Sequence, residues 1–388
     1  MADPRWHCPC ESCSDTRIEG RACTACDTVP GAAGLQLCAA CHTVAYCSPA
    51  CQRAHWGVHK KPCKAASARR HAMMLINAEA GNSVAQFGVG LNQYFGLGTP
   101  KDHSLAVVWY QRAAAAGLPE AQFNLGCAFA KGDGVAVDPV EAAVWCQRAA
   151  DAGLPEAQLK LGYCYVRGSG VPKDAARAVS WFRRGAASGN AEAQACLAEC
   201  YASGDGVPRN AVESVKWLQR ASDAGSAAAS SNLGTCYATG TGVARDPVKA
   251  AACFQRSSDG GHGEGLANLG RCYAAGLGVP MDSVRAAELY RRASDSGFAP
   301  AHTILGSCFF HGEGGMPVDK AKAVALWTRA SAAGIAEAQY LLSWSYAKGD
   351  GVPKDLVKAV ALLRKVVGAG GMFAEQARDD LRWLGTEA

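Results

Sequence analysis

The sequence predicts an all-α chain, an α-solenoid of helix hairpins behind a small cysteine-rich head. Three observations carry this. Glycine recurs at positions 81, 117, 153, 189, 225, 261, 297, 334 and 370, an interval of 36 throughout except for one of 37. Leucine and aromatic residues return in fixed register between those glycines. Ten of the 19 cysteines fall before residue 64, apart from the repeating part. A fixed period of this length marks stacked supersecondary units, none of which can bury its apolar face alone.

At 388 residues the chain is long enough for more than one unit. Its net charge of +5 is unevenly spread, since residues 1–75 hold nine Lys/Arg against five Asp/Glu. No apolar run approaches the ~20 residues of a membrane span. The opening "MADPRWHCPCESCSDTRIEG" lacks the apolar centre of a secretory signal. The expectation is a protein of the cytoplasm and/or nucleus, neither secreted nor membrane-spanning. Without export, its cysteines read as metal ligands or buried thiols rather than as a disulfide framework.

The head is taken first. From residue 23 it runs Cys23-x2-Cys26-x11-Cys38-x2-Cys41-x5-Cys47-x3-Cys51-x7-His59-x3-Cys63. Each CxxC pair sets two thiolates across a tight turn, within reach of one Zn(II) at about 2.3 Å. Cys47/Cys51 and His59/Cys63 are i, i+4 pairs, which share a face on a helix. Four pairs supply two closed tetrahedral sites, structural rather than catalytic because no position is left for water. Spacing alone also permits a sequential pairing. His55 competes with His59, and the i, i+4 relation to Cys63 favours His59. So short a segment buries little apolar surface, so metal must supply most of its folding free energy, ~10–16 kcal/mol per site. Upstream, His7, Cys8, Cys10 and Cys13 have no partner element, and residues 1–22 are read as a disordered tail rather than as a third site.

The wording "YCSPACQRAHWGVHKKPC" at 46–63, with the ligand string around it, closely resembles the MYND zinc finger. The resemblance implies an interleaved pairing. Cys23, Cys26, Cys47 and Cys51 would hold one zinc, and Cys38, Cys41, His59 and Cys63 the other. It also implies a protein-interaction module that grips short proline-containing peptides, with Gln52 and Trp56 at the groove positions. Residues 52–71 carry six Lys/Arg and no acid. A basic helix of this kind can contact phosphate backbone. No base-reading or aromatic stacking series accompanies it, so a nuclear transcriptional co-regulator touching chromatin or DNA is the alternative reading, not the leading one.

The repeating part divides at its glycines into eight units over 82–370, after a linker helix at 64–81. The second unit, "LPEAQFNLGCAFAKGDGVAVDPVEAAVWCQRAADAG", shows the logic. Ala121, Leu125 and Phe129 form the stripe of a first helix. Gly132 and Gly134 break it. Asp138–Pro139 is an N-cap and N1 pair that starts a second helix, buried through Ala142, Trp145, Cys146 and Ala149, with Gly153 at its end. One column holds Leu125, Leu161, Leu197, Leu233, Leu269, Leu305 and Leu342; another holds Phe129, Tyr165, Tyr201, Tyr237, Tyr273, Phe309 and Tyr346. The pattern A-x3-L-G-x2-Y-x2-G-x-G-V resembles the Sel-1-like repeat, a relative of the tetratricopeptide repeat, over about three quarters of the chain. The first unit departs from it, with Val89 and Gln93 in the leucine and aromatic slots, as a terminal unit should. Residues 371–388 read as a C-terminal capping helix. Cys164, Cys200, Cys236, Cys272 and Cys308 recur at one position and, about 10 Å apart on neighbouring helices, lie beyond disulfide reach.

No nucleophile, base and orienter come together, so an enzyme is not expected. Asp138, Asp174, Asp246, Asp282 and Asp355 share the capping slot. One first-helix position facing away from the leucine stripe holds Cys127, Tyr163, Glu199, Thr235, Arg271, Ser307 and Trp344. Neighbouring outward slots add Phe123, Tyr340, Arg167, His311 and Lys348. A mixed, partly aromatic row suits a concave surface for a partner. The sequence therefore predicts a zinc-binding adaptor of other proteins or short peptides, the finger gripping a linear peptide and the solenoid a second partner.

Overall fold

The computed structural model describes residues 65–384 and three short strands before them. Strands β1 (Arg17–Ile18), β2 (Leu35–Leu37) and β3 (Ala45–Tyr46) form an antiparallel sheet in that order, with Ile18 opposite Leu35 and Gln36 opposite Tyr46. The head thus adds a small sheet to an otherwise helical chain. The eight residues expected to bind zinc, with Gln52 and Trp56, lie outside the described residues, as do His7, Cys8, Cys10 and Cys13.

Contacts divide the chain into two compact units, Met1–Trp181 and Phe182–Ala388. The first holds α1 (65–79), α2 (Ser83–Phe95), α3 (His103–Ala115), α4 (Pro119–Lys131), α5 (Pro139–Asp151), α6 (Pro155–Arg167) and the start of α7 (Ala175–Ala187). Helix α1 covers the atypical first repeat. Its Ala78, Met74 and Leu75 pack with Val89 and Trp109, so the valine that replaces leucine is fully buried. Gln93, in the aromatic slot, is buried too, and Thr99 donates to its side chain.

The second unit holds α8 (Ala191–Ser203), α9 (Ala211–Asp223), α10 (Ala227–Thr239), α11 (Pro247–Asp259), α12 (Gly263–Ala275), α13 (Ser283–Asp295) and α14 (Ala299–His311). A short 3-10 turn, Glu313–Gly315, takes up the extra residue of the longer repeat. Then come α15 (Lys320–Ala332), α16 (Ala336–Lys348), α17 (Leu356–Ala369) and α18 (Ala374–Trp383). In each unit, a helix packs on the next in sequence, two per repeat. The leucine column lies at the centre, with Leu125, Leu161, Leu197 and Leu233 wholly shielded from solvent. Each such side chain contributes about 2–3 kcal/mol of burial.

The capping column behaves as the sequence reading expects. Asp138, Asp174, Asp246, Asp282 and Asp355 accept N–H bonds from the first turn of the following helix at 2.9–3.1 Å. Asp102, Asn210 and Asp319 do the same, which extends the column. The aromatic column sits differently. Only Tyr165 and Tyr273 are fully buried, and the other rings are half-exposed. A basic residue in the first turn of the second helix lies over the ring in several repeats. Arg285 sits 4.6 Å from the Tyr273 centroid, Lys358 5.2 Å from that of Tyr346, and Lys249 5.6 Å from that of Tyr237. A cation over an aromatic face is attracted to the ring electrons, and it accompanies buried and half-exposed rings of the column alike.

A second polar column runs through the core. Gln122, Gln158 and Gln194 donate through Nε2 to the carbonyls of Ala114, Ala150 and Ala186 at 3.1–3.3 Å. Those carbonyls belong to the last turn of the preceding helix, where the helix itself offers no donor. In α14 the slot is held by His302, 5% exposed, whose Nδ1 pairs with Ser294 Oγ at 2.6 Å. Burial, and next the Arg329 charge, hold this imidazole below its ordinary value of 6.5. The unfolded chain therefore binds a proton more readily than the folded one, and stability falls as pH drops below 6.5. We expect His302→Gln, which restores the column residue, to flatten that loss. Urea midpoints at roughly pH 7 and pH 5 check it; the same pH slope in both proteins would contradict it.

Candidate interaction surface

The side of each hairpin away from the leucine stripe is shaped by paired positions within a repeat. On the first helix, the residue after the leucine is glycine wherever a large second-helix side chain crosses it. A Cβ on Gly90 would come within 2.6 Å of the Tyr110 ring, on Gly234 within 2.6 Å of Phe254, and on Gly270 within 2.6 Å of Tyr290. On Gly306 it would meet Trp327 Nε1 at 2.5 Å. Where the crossing residue is a leucine, the slot admits a Cβ: Ala198 shares a cluster with Leu218, and Ser343 occupies the slot in the repeat of Leu363. The absent side chain lets a ring pass beneath the first helix and reach its outer side.

Two grooves open where rings do this. In the first unit a groove of about 360 Å³ is lined by Tyr94, Phe95, Tyr110, Phe123, Cys127 and Asp133, among others. Tyr94 donates its hydroxyl to Asp133 Oδ2 at 2.8 Å and stacks on the His103 ring at 4.5 Å. That hydrogen bond, more than burial, pushes the Tyr94 phenol up to about 12, so it remains a donor at every physiological pH. In the second unit a groove of about 480 Å³ is floored by Phe254 and Tyr290 and rimmed by Thr235, Thr239, Arg271 and Leu277.

Several side chains singled out from sequence lie at these grooves. Phe123 and Cys127 line the first, and Thr235 and Arg271 the second. Tyr163 is half-buried, with the Arg167 guanidinium 5.6 Å from its ring. Glu199 is exposed; exposed His311 meets Phe310 edge-on at 5.1 Å. Two of the row meet the C-terminal helix or the turn before it. Tyr340 stacks on Phe373 at 5.5 Å, and Trp344 donates Nε1–H to Asp380 Oδ2 at 3.1 Å beside Trp383. Helix α18 and the turn before it thus contact both, leaving each half-buried, and Lys348 lies 4.7 Å above the same indole.

Tyr94, Tyr110, Phe254, Asn268 and Tyr290 went unread in the sequence. For Tyr110, Phe254 and Tyr290 the signal was present, as a glycine after the leucine slot followed by a ring on the next helix. The five recurring thiols are free, three buried and Cys200 and Cys236 half-buried. Burial pushes Cys200 and Cys308 up to about 11 and raises the others as well, so none is a ready nucleophile. Among the described residues no cluster of three or more His, Cys, Asp or Glu is placed to hold a metal, and no helix is long and apolar enough to cross a membrane. The zinc donors expected from the sequence are in the head, outside the described residues. Seven thiolates and one imidazole are soft and borderline ligands, which fit zinc and suit neither calcium nor magnesium.

Comparison with known families and structures agrees with this arrangement. The Sel1 repeat matches eight successive segments, 83–118, 119–154, 155–190, 191–226, 227–262, 263–298, 299–335 and 336–365. The MYND finger, a zinc-binding domain, matches 23–63. Among solved structures, a Sel1 repeat protein from Oxalobacter formigenes is 30% identical with a TM-score of 0.62, over 80% of this chain and 90% of that one. The protective antigen c5321 of uropathogenic Escherichia coli strains, which displays the SLR fold, is 31% identical with a TM-score of 0.68, over 78% of this chain. The chain spans 65% of the length of that antigen. No curated protein matches.

Proposed function

The chain belongs to the Sel1 repeat family and carries a MYND finger at its head, and from this we propose that it is a non-enzymatic adaptor with two separate contact surfaces. Both modules are in general non-catalytic and serve protein–protein interaction. The finger, folded around two structural zinc ions, would grip a short linear peptide through Gln52 and Trp56. The repeats would hold a second partner on the outer side of their first helices. The observation that carries this is the pair of open, ring-floored grooves on that side. Pockets of this size, mostly apolar with a few polar groups, are what ligand segments occupy.

Affinity capture with the intact, zinc-loaded chain tests it. Proteins retained by the wild type should separate into one set lost on Trp56→Ala and another lost on Phe123→Asp. Retention of nothing above an empty matrix, or one set lost equally on both substitutions, would refute the two-surface adaptor.

A further inference from the structure

The groove of the second unit is selective by charge. It lies across the outer side of α10 and α12 and is lined by Thr235, Ala238, Thr239, Ala274, Ala275 and Leu277, besides its aromatic floor. Leu277 is 47% exposed, an apolar wall of the groove. Arg271 is the one charged residue in the lining. Among the described residues no carboxylate pairs with it, although other arginines of this unit are so engaged: Arg291 pairs with Glu288 at 2.6 Å and Asp295 at 3.2 Å. Its guanidinium instead donates to Asn268 Oδ1. Asn268 is itself only 5% exposed and donates to Ser231 Oγ at 3.5 Å, so the amide that anchors the arginine is held from below. One donor of the guanidinium fork is thereby used and the others remain over the groove.

We infer that this groove binds a linear segment of a partner protein in which an apolar side chain is flanked by a carboxylate, the apolar group lying on Phe254 and Tyr290 and the carboxylate on Arg271. The inference rests on the adaptor reading and specifies its partner. A guanidinium fork matches a carboxylate with two parallel hydrogen bonds, and because Asn268 already orders it, little side-chain freedom is lost on binding. A basic segment is repelled by the same group. A nucleic-acid backbone would need a line of cations, whereas the groove has one. The groove of the first unit lacks this bias, since it holds both Lys131 and Asp133.

The test uses random dodecapeptides displayed on phage and the intact, zinc-loaded chain. The library is selected on the wild type directly, and in parallel after depletion on Arg271→Gln protein. We expect peptides surviving depletion to carry Asp or Glu next to a large apolar residue. Fluorescence polarisation should then show about tenfold weaker binding to Arg271→Gln, partial recovery with Arg271→Lys, and no change with Lys365→Gln, an exposed lysine that lines neither groove. Far-UV circular dichroism and melting temperature confirm that each variant is folded. Survivors without a carboxylate, or enrichment that disappears on depletion, would overturn the inference and leave the adaptor reading standing. No enrichment in either arm would overturn both the inference and any peptide-binding role.

Discussion

Replacing Gly278 with alanine should cost about 3–5 kcal/mol, among the largest losses available to one methyl group here. Gly278 follows α12 with φ of +75°, and a Cβ built on it overlaps the Pro247 carbonyl at the start of α11. That carbonyl belongs to backbone at a capped helix N-terminus, so it cannot yield without parting two repeats. Gly297→Ala is the control. Its φ is +88°, yet a Cβ there meets nothing within 4 Å, so only the left-handed backbone penalty of about 1–2 kcal/mol applies. Urea midpoints measure the difference, and hydrogen exchange over α11–α13 localises it, since repeat arrays need not unfold as one step. Equal losses at the two positions would mean that inter-repeat contact adds nothing to the requirement for glycine.

Removing zinc should be as severe for the head and nearly silent for the repeats. Elemental analysis is expected to find two zinc ions per chain. A strong chelator should then abolish the protease resistance of residues 23–63 while leaving most of the helical far-UV signal. A structural site of this kind contributes ~10–16 kcal/mol to folding, more than so short a segment can recover from burial. His59→Ala should lower the stoichiometry toward one and His55→Ala leave it at two. A head that stays protease-resistant without metal would refute the two-zinc structure.

The repeat architecture was legible from sequence because each signal was local and restated many times. Glycine, leucine and aspartate did the same job in successive units, so one unit was enough to read the rest. The interaction surface was less legible. Tyr340 and Trp344 occupy outward slots by helical geometry, and only the arrival of α18 and the turn before it shows that they are half-buried against Phe373 and Asp380. The groove floors depend on pairs such as Gly270 and Tyr290, far apart in sequence and meaningful only once two helices cross. The glutamine column was missed for a related reason. A polar residue on an apolar face reads as exposed until the carbonyl it serves is seen.

The two kinds of glycine differ in what they tie together. Gly270 and Tyr290 lie in one repeat, whereas Gly278 touches the repeat before its own. A copying event that duplicates a whole repeat therefore carries one ring and the glycine that admits it, while each groove is completed by the repeat beside it. Such a chain can lengthen or shorten by complete modules and change its recognition one groove at a time, with no redesign of the interior.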